Sequence, residues 1–553
     1  MDAQLTEYLK CCLSKNNIDG LIINSTNEFL MEYNKLELNS RYYVTGFTGS
    51  TGDVLFTRDK IYQFADTRYH QQAENETDAD FVTVIKIPLG KTFLDALDEV
   101  IPSYFRLGIV SAKTSKKFYD ALYKKVSAKN GIIKLLNSDP VMEYEKDKIE
   151  KAEYNVFKLD INACGILADD KFLKVKEYTG LDKYAVISSS LEDTAYLTNL
   201  RSYDFDFSAV FPAKAVIKQD RAYIYTDCTL PDAGIYFETK PFSEFEKALK
   251  SIENTCVFID EDNMSIADFN LINKSNTIKK SCLGLMKTVK NEAEISRLKA
   301  GFACSDKALK IISRMINSDE IYTEYDYYEA LKEELFKTGA QSLSFKPIVA
   351  AGSNSSIIHY SSPSKEKKVE EGDLLLVDFG GFYEGGLASD TTRTFIKGTP
   401  SDEQRKAYTT VLKAFLNAYY KEYTLKSSYF DIDKEARDTI EKNITPDYAF
   451  AHAAGHGLGI CVHEIPPRLS SAVSSKTKII ENTVFTIEPG VYKEGWGGIR
   501  LENTVYASYE NGKIILHSLS HFPFEIKLTD ISLMNDDEKY RYMKWQEDSS
   551  CRM

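Results

Sequence analysis

Five residues after position 370 have the types and spacing of a metal centre: Asp378, Asp390, His456, Glu488 and Glu502. Asp378 closes the apolar run Leu374-Leu375-Leu376-Val377, and Asp390 opens the run Thr391-Thr392-Arg393-Thr394-Phe395. His456 sits in Gly455-His456-Gly457-Leu458-Gly459, Glu488 in Thr486-Ile487-Glu488-Pro489-Gly490, and Glu502 in Gly498-Ile499-Arg500-Leu501-Glu502-Asn503. A carboxylate at the end of an apolar strand is costly to bury unless a cation meets it. Four carboxylates with one imidazole read as a site for two divalent ions. Oxygen-rich ligation with a single imidazole favours Mn2+ or Co2+, with Zn2+ also compatible. A hydroxide bridging two such ions would serve as the nucleophile of a hydrolysis.

Such a centre needs its ligands fixed to fractions of an ångström, which favours strands as carriers. Leu374–Phe379 and Ala388–Phe395 are expected to pair as an antiparallel hairpin that brings Asp378 and Asp390 side by side. Arg500, Glu502 and Thr504 share one strand face by two-residue alternation, so Arg500 is placed to steady a ligand carboxylate. Taken singly, each residue has a plainer reading: a turn-forming Asp, a Glu before Pro-Gly, a packed His. Their ordered combination outweighs those readings, because four of the seven His (His359, His452, His456, His463) also fall in these motif stretches.

The rest of the chain is ordinary globular material with room for several cores. It has 553 residues, 43% hydrophobic and 27% charged, too many for one compact core. The net charge of −13 argues against nucleic acid as the main partner. Nine unpatterned cysteines without a CxxC pair fit a reducing compartment rather than a disulfide framework or a structural zinc site. No basic-then-apolar leader and no long apolar segment is visible, so a cytoplasmic protein without membrane association is expected.

The texture is α/β and divides into three regions, 1–152, 153–287 and 288–553, with a charge-dense connector at 143–155. In the first, strands are expected at Gly20–Asn24, Tyr42–Thr45 and Leu107–Val110, a hairpin at Asp53–Phe64, and a helix at Ser115–Lys129. The second should hold strands at Tyr184–Ser188, Ala209–Phe211, Ala222–Tyr225 and Val257–Asp260. Its size and texture resemble those of the first region, which suggests a duplication, although no residue-level repeat is visible. In the third, long helices are expected from Lys290 to Ile316, Glu324 to Thr338, Asp402 to Tyr423 and Asp431 to Lys442. A polar turn at Gly352–Ser356 should lead into a short strand and His359.

The ordered motifs VDFG, SDTTRT, GHGLG…VHE, TIEPG and GIRLEN resemble those of the pita-bread metallopeptidases, which include aminopeptidases, prolidases and creatinase. GSNSSIIHY around His359, VTGFTGSTG and ADTRYHQQA, TAYLTNLR and KNEAEI extend the resemblance over nearly the whole chain, toward the long three-domain aminopeptidase P type. The resemblance implies two creatinase-like N-terminal α/β domains and a C-terminal pita-bread catalytic domain (α/β, α+β). It implies hydrolysis of the Xaa-Pro bond at the N-terminus of peptides with proline second, and a homodimer. By position, Asp378 would chelate one metal, His456 and Glu488 the other, and Asp390 and Glu502 would bridge them. His359 and His463 match residues that hold the scissile peptide and stabilise the oxyanion, and Glu488 the carboxylate that passes a proton to the leaving nitrogen. His452 matches a residue lining the proline pocket, and Arg500 and Tyr492 match supports of the metal centre. Asp378 and Asp390 stand twelve apart, one more than the family pattern, and Gly385-Gly386 suggests that a turn absorbs the difference. Prolidase action on free dipeptides, and a metal-free pita-bread binding module, remain as alternatives.

Overall fold

The computed structural model describes residues 2–149, 152–253, 255–272, 277–278, 282–470 and 476–550, so residues 150 and 151 of the expected connector lie outside it. The chain divides into two compact units, one of residues 1–159 and 166–283, the other of residues 160–165 and 284–553.

The first unit contains two six-stranded sheets. In chain order within each sheet, the strands lie 4-3-2-1-5-6 across both. The first runs Val82–Lys86, Ile61–Ala65, Val54–Thr57, Gly20–Ile23, Arg106–Val110, Ile132–Leu136, and the second Phe237–Lys240, Ala222–Tyr225, Lys214–Lys218, Tyr184–Ser188, Cys256–Phe258, Thr277–Ile278. Strand directions also match: the two middle pairings before the first strand are antiparallel and the outer ones parallel in both sheets. The duplication suggested by texture is therefore visible as a repeated topology.

Three local expectations are corrected. Residues 42–45 are not a strand but part of a helix, Ser40–Thr45. Asn39 caps it by accepting from Tyr42 N, and Gly46 ends it at φ 76°. Capping and the buried Arg41, whose guanidinium binds the carbonyls of Gly49, Thr51 and Gly52, override the strand preference of Tyr-Tyr-Val-Thr. Ala209–Phe211 is fully buried but irregular, and the strand begins at Lys214. Around His359, the short strand Ile348–Ala351 precedes the 3-10 turn Gly352–Ser356 instead of following it.

In the second unit, two sheets are each backed by a helix pair. The sheet Ile348–Ala351, Leu374–Phe379, Thr391–Ile396 packs on helices Glu292–Ile316 and Glu324–Lys337. The other sheet contains Val484–Ile487, Gly455–Gly457 and Asn503–Glu510 and packs on helices Asp402–Tyr420 and Tyr429–Asn443. The helices start where capping boxes predict: Asn291 with Glu294, Thr323 with Asp326, Ser401 with Gln404, Ser428 with Asp431. Ile295, Leu298, Phe302, Leu309, Ile312 and Ile316 form the buried stripe of the longest one.

The hairpin carrying Asp378 and Asp390 keeps one register throughout. Asp378 lies opposite Thr392, Phe379 opposite Thr391, and the same register continues to Phe382 opposite Ala388. No bulge interrupts this pairing, and in the connecting turn Gly385 and Gly386 have φ 102° and 64°. Asp378, Asp390 and Thr392 consequently point to one face. Gly385→Ala should then cost about 1–2 kcal/mol through its positive φ. A fall of a few degrees in the Tm of the second unit, read by calorimetry, checks this. An unchanged Tm would show that the turn does not need the left-handed conformation.

Candidate metal centre

Five chain segments converge on the face of the Asp378 hairpin. Asp378 comes from the central strand Leu374–Phe379, and Asp390 directly precedes Thr391–Ile396. His456 is the middle residue of Gly455–Gly457, Glu488 follows Val484–Ile487, and Glu502 occupies the break between Gly497–Arg500 and Asn503–Glu510. One donor atom each of Asp390, His456 and Glu502 lies within 4.8 Å of the other two. His456 Nε2 is 3.4 Å from Asp390 Oδ2 and 3.6 Å from Glu488 Oε1. Asp378 lies close enough to Asp390 for their side chains to hydrogen-bond when one is protonated. All five expected ligands are brought together.

The electrostatics of this cluster are unfavourable as it stands. Burial pushes the Asp390 carboxyl well above its ordinary range, and the neighbouring charges of Asp378 and Glu488 push it further. Glu502 is raised in the same way, by burial and then by Asp390, Glu488 and Asp378. Burial also raises Glu488, although His456 and Arg500 pull in the opposite direction. Asp378 Oδ1 and Glu502 Oε1 are buried without any hydrogen-bond partner. Buried oxygens of this kind are rarely left unpaired. Crowded, oxygen-rich and short of cations, the set fits two divalent ions, with His456 supplying the one nitrogen donor.

Around the ligands runs a set of side chains that fix their orientation. Arg500 donates to Asp378 Oδ2 (2.6 Å), to the Tyr492 hydroxyl (2.7 Å) and through Nε to Thr392 Oγ1 (3.2 Å). The Thr392 hydroxyl donates a hydrogen bond to Glu502 Oε2 at 2.6 Å. Thr486 donates to Glu488 Oε1 (3.3 Å) while accepting from the His456 backbone N–H (3.1 Å). Arg393, fully buried, holds the Glu502 carbonyl (2.7 Å), Thr392 O (2.9 Å), Asn503 Oδ1 (2.8 Å) and Phe522 O (2.7 Å). Burial pushes the Tyr492 phenol up to about 12.

The sequence reading anticipated Arg500 and Tyr492 here but missed Thr392, Thr486 and Arg393. Thr392 was detectable in principle, since it shares the face of Asp390 two residues away. Arg393 points to the other side and acts mainly through backbone carbonyls, which no side-chain pattern announces.

The remaining histidines occupy different settings. His463 stacks edge-on against His456, ring centroids 4.5 Å apart. His359 is partly exposed just after the turn Gly352–Ser356, and the carbonyl of its neighbour Ile358 accepts from Arg500 at 3.4 Å. His452 is buried: its Nε2 meets the Tyr492 hydroxyl at 2.9 Å, and its Nδ1 lies 3.7 Å from Glu488 Oε2.

Known proteins resemble this chain over most of its length. The model of metallopeptidase family M24 matches residues 296–508, and models of creatinase/prolidase N-terminal domains match residues 7–143 and 147–294. Xaa-Pro aminopeptidase 1 of Dictyostelium discoideum is 29% identical over 96% of this chain and 90% of its own length. Aminopeptidase P2 of Arabidopsis thaliana is 26% identical over 94% of this chain and 81% of its length. The crystal structure of an X-prolyl aminopeptidase from Caenorhabditis elegans, described as a cytosolic enzyme with a di-nuclear active site, superposes with a TM-score of 0.90. It covers 99% of this chain and 96% of its own, at 20% identity, so it establishes the shared fold. No described helix is long and apolar enough to cross a membrane.

The raised carboxyls give a signed pH prediction. Their folded-state pKa values exceed the unfolded ones, so in metal-free protein they add stability at acid pH. That contribution disappears as pH rises through the raised values, starting from about 4. Bound cations reverse the effect. The Tm difference between Mn2+-loaded and chelator-stripped protein should therefore widen between about pH 5 and pH 8. Asp390→Asn should raise the Tm of the stripped form and abolish its response to Mn2+. A pH-independent difference would mean that these carboxyls do not meet a cation.

Proposed function

From a chain whose residues 296–508 belong to metallopeptidase family M24, behind two creatinase/prolidase-type N-terminal domains, we propose a metal-dependent aminopeptidase that removes the N-terminal residue from peptides with proline second. The observation that carries the reading is the convergence of Asp378, Asp390, His456, Glu488 and Glu502, with two buried carboxylate oxygens lacking partners. Asp378 would hold one ion, His456 and Glu488 the other, with Asp390 and Glu502 shared. Mn2+ is the proposed ion, on the oxygen-rich donor set. When bound, two divalent ions supply a water-derived nucleophile at neutral pH and charge to polarise the scissile carbonyl.

The chain's own residues do the rest. His359 and His463 would hold the scissile peptide and donate to the oxygen on which negative charge develops. Glu488 is the most exposed of the four carboxylates and would carry a proton to the departing proline nitrogen. That nitrogen has no hydrogen in the peptide, so it must gain one to leave as an amine. Arg500 and Thr392 keep Asp378 and Glu502 in orientation, and Tyr492 orients His452, which would line the proline pocket. The proposal includes a homodimer and a cytoplasmic location, the latter supported by eight free cysteines among the described residues.

The test uses metal-stripped protein with Arg-Pro-Pro and Arg-Pro, with and without Mn2+. Metal-dependent release of Arg from the tripeptide, with the dipeptide much slower, is the expected result. Cleavage of the dipeptide alone would make the protein a prolidase. No cleavage and no bound metal would leave a binding module. His359→Ala and His463→Ala should each lower kcat by about 10²-fold with metal content unchanged. A fall in bound metal instead would place either histidine among the ligands.

A further inference from the structure

Glu324 lies outside the metal centre and outside every motif that suggested chemistry, yet its carboxylate is fully buried and fully used. It is the first residue of the helix Glu324–Lys337. Capping of that helix is already done by Thr323 and Asp326, which bond one another reciprocally, so the Glu324 side chain is free for another task. Its Oε1 accepts from Ala351 N at 2.7 Å and Asn354 Nδ2 at 2.9 Å. Its Oε2 accepts from the Tyr360 hydroxyl at 2.7 Å and Ser364 N at 2.9 Å. One carboxylate thus spans residues 351 to 364, from the end of the strand Ile348–Ala351 across the turn Gly352–Ser356 and the irregular residues after it.

His359 sits inside that span, and both of its neighbours are pinned. On one side, Ile358 packs against Ile348, Leu376 and Tyr492, and its carbonyl accepts from Arg500. On the other, the Tyr360 hydroxyl is held by Glu324 and also accepts from Asn354 Nδ2 at 3.2 Å. The Arg500 contact ties the segment to Asp378, and the Glu324 contacts tie it to the helix scaffold. A carboxylate in this place satisfies four donors at once, and Gln cannot replace it. Its amide nitrogen would face either Ala351 N–H and Asn354 Nδ2 or the Ser364 N–H, donor against donor.

We propose that Glu324 is a positioning residue that fixes the 351–364 segment so that His359 meets the scissile peptide at the metal centre. The inference rests on the proposed role of His359 in peptide hydrolysis. It implies that Glu324 acts on turnover only through His359, without touching substrate or metal.

The test is a double-mutant cycle on the full chain loaded with Mn2+, using Arg-Pro-Pro. Glu324→Gln should lower kcat about ten- to hundred-fold, the scale of a misplacement of about 1 Å, with a smaller change in KM and the same bound metal as wild type. In a His359→Ala background the same change should have no further effect, because nothing remains to be positioned. Backbone amides of 351 and 364 should exchange faster with solvent in Glu324→Gln. If that variant does not fold, Tyr360→Phe, which removes one of the four contacts, should show a smaller kcat loss with the same non-additivity. Wild-type kcat in the substituted protein, or losses that multiply in the double mutant, would overturn the proposal. Wild-type protein that cleaves no peptide would overturn the functional reading itself, and the inference with it, before any variant is compared.

Discussion

Four carboxylates crowded into one buried pocket are the constraint on which the second unit is built. Without cations, each raises the charging cost of the others, and a folded chain would gain by keeping them apart. Here the opposite is done with care. Two sheets approach from either side, and each contributes ligands from strand ends where the backbone is already fixed by its own ladder. Strand ends can aim a side chain into a shared space without leaving main-chain groups unpaired. The helices behind the sheets supply the apolar burial that holds the arrangement against its own repulsion.

Much of this was readable from the chain because the chemistry uses local patterns. An acidic residue closing an apolar run, a His between glycines and a Glu before Pro-Gly are unusual in combination, and the five residues they single out lie together in the fold. The helix starts agree to within about two residues with those expected, and each is fixed by a capping box. The misreadings arose where capping, a buried side chain or the lack of a neighbouring strand overrode the preference of the local residues. Tyr42–Thr45 has strand-forming composition, but the buried guanidinium of Arg41 and the Asn39 cap make it helical. Ala209–Phe211 is apolar enough for a strand, yet burial without a neighbouring ladder leaves it irregular. Glu324 and Arg393 reach backbone and side-chain partners far away in sequence, which no spacing rule announces.

The hairpin between the two Asp residues shows why a chain can lengthen without losing its site. Within a strand, one extra residue turns every later side chain to the opposite face. A residue added in the turn changes only the path between Phe382 and Ala388 and leaves the register from Leu374 onward untouched. Two glycines at positive φ let the turn close around the extra length. Length variation is thus confined to the one place where alternation does not apply.

Arg500 joins the two parts of the candidate site. Its guanidinium reaches Asp378, Thr392, the Tyr492 hydroxyl and the Ile358 carbonyl, so one planar group references a ligand, the support of another ligand, and the segment bearing His359. A lysine in the same place offers a point charge on a flexible stem and lacks the fixed fork that reaches several acceptors in different directions. Its charge also offsets part of the negative potential of the four carboxylates, while Asp378 Oδ1 and Glu502 Oε1 stay without a hydrogen-bond partner. The guanidinium sets direction, and divalent ions are required to balance the charge.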